Sequence, residues 1–156
     1  VRRLVGSEMC IRDSYLIGEG FSWLKKNRPG IKALISYSDP QQGHVGTIYQ
    51  ATNWLYQGNR IRPNDSWLFK WEEDGKWQHG RTIFPYYGTN DIEKMKDLVE
   101  KDFWVKKELR NHRYIYLLGS KSEKRTALKN LKHPLLPYPK TADIVEPEVM
   151  KIKVRR

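Results

Sequence analysis

Between Ser36 and Trp54 the chain reads SYSDPQQGHVGTIYQATNW, and residue types suited to chemistry are densest there. An apolar, strand-like run hands over to a turn with two glycines and a histidine, and then to a segment with helical spacing. Glycines at such a junction let the backbone come close to a ligand. The N–H groups of a first helical turn direct partial positive charge at an anion. The turn is therefore a candidate phosphate cradle built from main-chain amides. Thr47 follows Gly46 directly, so the Lys-Ser/Thr ending of a nucleotide P-loop is missing, as is the three-glycine dinucleotide fingerprint. A pyrophosphate held without a metal, as in acyl-CoA binding, suits the pattern better. The competing account is that Gly43 and Gly46 only serve a tight turn. The four histidines show no metal-ligand spacing, so no metal site is expected.

The elements that would position this turn alternate between helix and strand. SYLIGEGFSWLKKN reads as an amphipathic helix that ends before Pro29-Gly30, and IKALISYS as a buried strand. Val45, Ile48, Tyr49, Thr52, Leu55 and Tyr56 share a helical face, and Gly58 is placed to end that helix. SWLFKW and WQHGRTIF flank EEDGK, which predicts a β-hairpin turning at Asp74-Gly75. Asn90 or Thr89 is expected to cap a helix through DIEKMKDLVEKD. HRYIYLLG reads as a second strongly apolar strand, and SEKRTALKNL as a short basic helix opening with a serine cap. The tail from His133 carries four prolines and is expected to wrap the surface. Together these predict an α/β (α+β) protein: one domain over 15–140, with a mixed central sheet flanked by helices, and a basic tail over 141–156.

Residues 1–14, VRRLVGSEMCIRDS, resemble a translated sequencing-adapter scar and are expected to be non-native, which would leave the true N-terminus missing. That stretch holds Arg2, Arg3 and Arg12 against Glu8 and Asp13, so the formal charge of +11 for the whole chain becomes +10 without it. It also holds Cys10, the single cysteine, so the remainder has no disulfide, thiolate metal site or cysteine nucleophile. No apolar run approaches the ~20 residues of a membrane span, and the chain reads as soluble.

The basic excess has a solubility reading and a polyanion reading, in which lysines and arginines neutralise phosphates and release counterions. Ten Lys or Arg stand against four acids from Ser120 to Arg156, and KKELRNHR adds more. Trp104, Tyr114, Tyr116 and Tyr138 are interleaved with these charges, which suits a nucleic acid whose bases are stacked or extruded.

The block SYSDPQQGHVGTIYQATNW, followed by FPYYGT and HRYIYLLGS with the later PYPK, resembles the phage Mom family of DNA adenine-modification proteins. That family is similar to GCN5-related N-acetyltransferases. The resemblance implies a GNAT-like domain, an acetyl-CoA (or other acyl-CoA) donor, double-stranded DNA as partner, and a place in the cytoplasm of an infected bacterial host; it assigns Gly43, His44, Val45, Gly46 and Thr47, with Gln41 beside them, to cofactor binding. It implies conversion of adenine N6 to a methylcarbamoyl-type derivative that protects phage DNA from restriction. The acetyltransferase turn usually reads Gln/Arg-x-x-Gly-x-Gly/Ala, whereas Gly43 and Gly46 are three apart here. A generic acyl-CoA N-acyltransferase acting on a protein or small amine, and a non-enzymatic basic DNA-binding protein, are the alternatives.

Adenine N6 is a poor nucleophile engaged in base pairing, so the site must extrude the base, position it and accept a proton. Asp39 is the best-placed carboxylate, with a turn-forming role before Pro40 as its alternative. Tyr49 is expected to donate a hydrogen bond near the acyl carbonyl, or else to be a core aromatic. His44 has a phosphate-orienting or base role against a plain turn position. Ser120 follows the second strand, where such folds place groups near the acyl carbon; a helix cap is its other reading. Arg110 and Arg113 are expected on DNA phosphates, and Tyr86, with Tyr87, on the base pocket.

Overall fold

A computed structural model of the chain describes residues 2–60 and 64–154. The chain forms two compact units: Val1–Arg60 with Arg110–Ile144, and Ile61–Leu109 with Val145–Arg156. In place of one mixed sheet there are two sheets in which all the described pairings are antiparallel.

The first unit begins with helix α1 (Arg2–Asn27), which continues N-terminally through the segment read as a scar. Strand β1 (Ala33–Ser38) follows, then the single-turn helix α2 (Thr47–Ala51) and strand β2 (Leu55–Asn59). The helix expected from Val45 to Tyr56 is thus cut short. Asn53 adopts the left-handed conformation (φ 59°), which a helix interior does not accept, and turns the chain back into β2. Gly58 consequently ends no helix; at φ 81° it sits where the β2 register shifts between Tyr56 and Asn59.

The chain then crosses the second unit. Strand β3 (Trp67–Lys70) pairs with the short β4 (Gln78–His79), confirming the hairpin around Asp74-Gly75. Its second arm is only two residues long, because helix α3 (Gly80–Tyr87) starts where the strand was expected to continue. His79 caps α3 by accepting from the Arg81 amide at 3.0 Å, and Gly80 packs so closely on Asn90 that a Cβ there would lie 3.1 Å from its side chain. Helix α4 (Ile92–Leu98) is capped by Asp91, one residue after the expected Asn90, and Thr89 receives the Asp91 amide at 3.1 Å. Strand β5 (Phe103–Lys107) completes the hydrophobic face. Phe69, Phe103, Val105 and Met95 are fully buried there, each burial worth about 1.5–3 kcal/mol.

Returning to the first unit, strand β6 (His112–Leu117) runs between β1 and β2, and helix α5 (Lys121–Lys129) follows it. Residues 133–139 then lie along β2: Leu136 donates its amide to the Tyr56 carbonyl at 3.0 Å, and the Tyr138 hydroxyl donates to the Trp54 carbonyl at 2.6 Å. The prolines of this stretch hold it extended without being able to continue a ladder. The rest of the tail departs from the expected wrapping, since strand β7 (Met150–Ile152) pairs with β5 and closes the second sheet in the order β4-β3-β5-β7.

Alternation along β6 sorts the first sheet into two faces. His112, Tyr114 and Tyr116 point to the helix side, where Tyr116 stacks on Phe21 of α1 at 3.9 Å and Tyr114 lies 5.1 Å from Tyr49 of α2. Arg113 points to the opposite face.

Candidate functional site

The turn after β1 is closed mainly by itself. The Asp39 carboxylate accepts from the Gln41 amide at 2.9 Å, while the Gln42 and His44 amides both donate to the Asp39 carbonyl at 3.2 Å. Gly43, at φ 72°, ends the Pro40–Gln42 3₁₀ turn, and a Cβ there would meet nothing within 4 Å. Gly46, at φ 78°, stands under a different constraint: a Cβ would lie 2.5 Å from the Tyr114 ring. Tyr114 donates its hydroxyl hydrogen bond to the Val45 carbonyl, and the Gln50 amide reaches Val45 and Pro139 carbonyls, both at 3.1 Å. The close approach that Gly46 permits is thus to the protein's own core.

Beside this turn lies a cavity of about 470 Å³. Tyr37, Ser38 and Asp39 from the end of β1 line it together with His44, Thr47 and Tyr49, and Asp13 of α1 adds a second carboxylate. The structure therefore brings Asp39, Gly43, His44, Gly46, Thr47 and Tyr49 to one cavity. Gln41 is half-buried and Val45 is buried; neither lines the cavity. Tyr49 is oriented by Ser36, whose hydroxyl donates to the Tyr49 oxygen at 2.7 Å. A diphosphate does not suit this cavity. Two carboxylates line it, no lysine or arginine does so among the described residues, and the space above Gly46 is already filled by Tyr114.

The other expected site residues lie elsewhere. Ser120 is the N-cap of α5 in a reciprocal capping box: its hydroxyl accepts from the Glu123 amide at 3.3 Å and Glu123 accepts from the Ser120 amide at 2.7 Å. Arg113 is held on the opposite face of the sheet, donating from Nε to Gln57 at 3.0 Å and from Nη1 to the Tyr37 hydroxyl at 2.8 Å. Arg60 lies 5.5 Å from the centre of the same Tyr37 ring. Arg110 is half-buried just before β6. Tyr86 belongs to the second unit and is exposed on α3.

Sequence reasoning missed a polar row under the helix layer. In the antiparallel register Ser38 stands opposite His112, and Asn59 stands opposite His112 on the other side. The Tyr56 hydroxyl lies 2.8 Å from His112 Nδ1 and 3.3 Å from Asn59 Oδ1. Burial pushes the Tyr56 phenol up to about 12, with Tyr114 and Asp143 adding to the effect, and burial lowers the His112 imidazole below its usual value. Ser38 Oγ and His112 Nε2 are buried with no hydrogen-bond partner among the described residues. Trp54 Nε1 shares that condition, inside the aromatic cluster of Phe21, Tyr49 and Tyr116. The available signal was serine at alternate positions, Ser36 and Ser38, in an otherwise apolar strand.

Fold and site define a mixed α+β protein with a cavity at a strand end that two carboxylates line. The chain matches the Mom protein family over residues 7–140 and belongs to that family, a membership that makes it a phage DNA-modification protein. No curated protein matches it. Among the described residues no helix is long and apolar enough to cross a membrane.

Proposed function

We propose that this protein modifies adenine in double-stranded phage DNA, converting N6 to a methylcarbamoyl-type derivative that shields the DNA from restriction in the cytoplasm of the infected host. Family membership supports DNA modification as the activity. The observation that carries the reading to a particular place is the cavity at the end of β1, whose walls offer carboxylate, hydroxyl, phenol and imidazole groups and, among the described residues, no lysine or arginine. Such walls receive a neutral, hydrogen-bonding base more readily than a phosphate. At about 470 Å³ the cavity falls in the range of small-ligand sites.

The roles of the chain's own residues follow from that placement. Tyr49, fixed by Ser36, presents a phenol to the cavity. Asp39, whose carboxylate is fixed at the turn by the Gln41 amide, gives the wall a steady negative charge that favours a developing positive charge on an amine. An acyl-CoA is the proposed donor class from the family resemblance, with its diphosphate held outside this cavity.

The test is nucleoside analysis of DNA from cells expressing the protein. A deoxyadenosine derivative of increased mass is expected. Unmodified DNA beside acylated protein lysines would move the reading to a general N-acyltransferase.

A further inference from the structure

Two polar atoms, on neighbouring strands of the first sheet and on the same face of it, are buried without partners among the described residues. Ser38 and His112 are each 8% exposed and directly opposed in the β1–β6 register. Leaving a buried hydroxyl and a buried imidazole nitrogen unpaired costs about 1–3 kcal/mol each. A fold that keeps two such groups side by side, one of them lining a cavity, retains them for something that enters.

The pair has a defined polarity. When Tyr56 donates its proton to Asn59, its oxygen accepts from His112 Nδ1–H, and Nε2 is left as an acceptor. Burial disfavours the imidazolium, so that lone pair persists at neutral pH. Ser38 supplies a hydroxyl donor next to it. An acceptor beside a donor complements an amine beside a ring nitrogen, the edge that adenine presents through N6 and N1. Hypoxanthine presents the reverse pattern, a carbonyl beside an N–H: the Ser38 hydroxyl can turn to accept from that N–H, but the carbonyl meets His112 Nε2 acceptor to acceptor.

We propose that Ser38, which lines the cavity, and His112, directly opposite it in the β1–β6 register, form a base-recognition pair, with His112 Nε2 accepting from the exocyclic amine of an extruded base and Ser38 Oγ donating to the adjacent ring nitrogen. Tyr56 and Asn59 act as positioning residues that set the His112 tautomer. This inference rests on the proposed function, because it names the groups that select the base.

The experiment uses the full chain labelled with ¹⁵N-histidine and two duplexes, one with a single unpaired adenine and one with hypoxanthine in its place. The adenine duplex should shift the His112 Nε2 resonance and bind about 10- to 100-fold more tightly than the hypoxanthine duplex. Ser38→Ala should weaken binding of the adenine duplex by about 5- to 10-fold without lowering thermal stability, since it deletes a hydroxyl that has no partner in the free protein. Equal binding of the two duplexes, absence of binding included, overturns the proposal. So does adenine-duplex binding that Ser38→Ala leaves unchanged. An Nε2 resonance already typical of a hydrogen-bonded nitrogen, and unmoved by either duplex, would assign the pair to an enclosed water. Each of these failures leaves the nucleoside analysis of cellular DNA to judge the modification reaction separately.

Discussion

The Tyr114 ring occupies the space that a side chain on Gly46 would need, its Cε2 atom only 2.5 Å from the position of a Cβ. The glycine turn is therefore first a packing device. Gly46→Ala is expected to lower stability by about 2–4 kcal/mol, combining the left-handed backbone with overpacking. Gly43→Ala keeps only the backbone strain and should cost about 1–2 kcal/mol. Urea unfolding of the two variants checks this, and equal losses would mean that the Tyr114 contact relaxes easily.

His112 should make the protein sensitive to mild acid. Its imidazole is held below the usual value in the folded state, so between that lowered value and about 6.5 the unfolded chain binds the extra proton. Stability is then present above about pH 6.5 and falls as the pH drops below it. His112→Gln should flatten that part of a stability–pH profile measured by thermal unfolding.

Tyr56 sets the opposite limb. Its phenol is pushed up to about 12, above the ~10 of an unfolded tyrosine, so the folded state holds the proton longer. Stability should be unaffected below about pH 10 and decline as the pH rises from there toward 12. Tyr56→Phe removes this contribution, and denaturant titrations at several alkaline pH values would show whether the decline becomes shallower.

Arg113 is already engaged by Gln57 and Tyr37, which leaves its contribution to DNA binding open to a sharp measurement. If it also meets a phosphate, Arg113→Ala should make the log–log salt slope of DNA binding shallower by about 0.9. The change should be equal on two unrelated duplexes, since phosphate contacts carry no base identity. An unchanged slope would confine Arg113 to its contacts within the sheet.

Ser120 predicts a purely local effect on α5. Ser120→Ala removes the hydroxyl that accepts from the Glu123 amide and should cost about 0.5–2 kcal/mol, whereas Ser120→Asp can still cap and should cost much less. Equal losses in chemical denaturation would show that the capping box contributes little.

Local chemistry made some of this legible and long-range pairing made the rest invisible. The Ser120-x-x-Glu123 spacing announces its cap, and the apolar runs of β1 and β6 announce buried strands. The helix reading of Val45–Tyr56 failed because Leu55 and Tyr56 fit both a helical face and the start of a strand, and Asn53 decided between them by turning left-handed. The strand reading of WQHGRTIF failed at Gly80, where packing against Asn90 and the His79 cap favour a helix. The turn from Gln41 to Thr47 was found correctly as a junction, but its glycine spacing answers in part to Tyr114, a residue distant in sequence. Ser38 and His112 meet only through strand register, which a single sequence does not display.

The two units are interlaced along the chain, each being built from two stretches that alternate with those of the other. During synthesis β1 and β2 emerge with their shared partner still unmade, because β6 follows only after β3, β4 and β5. Until then both present open backbone edges, the state in which strands recruit the wrong neighbour. The second sheet waits in turn for β7. The first unit is therefore complete only after most of the second has been made, and no single cut in the gene yields either unit alone.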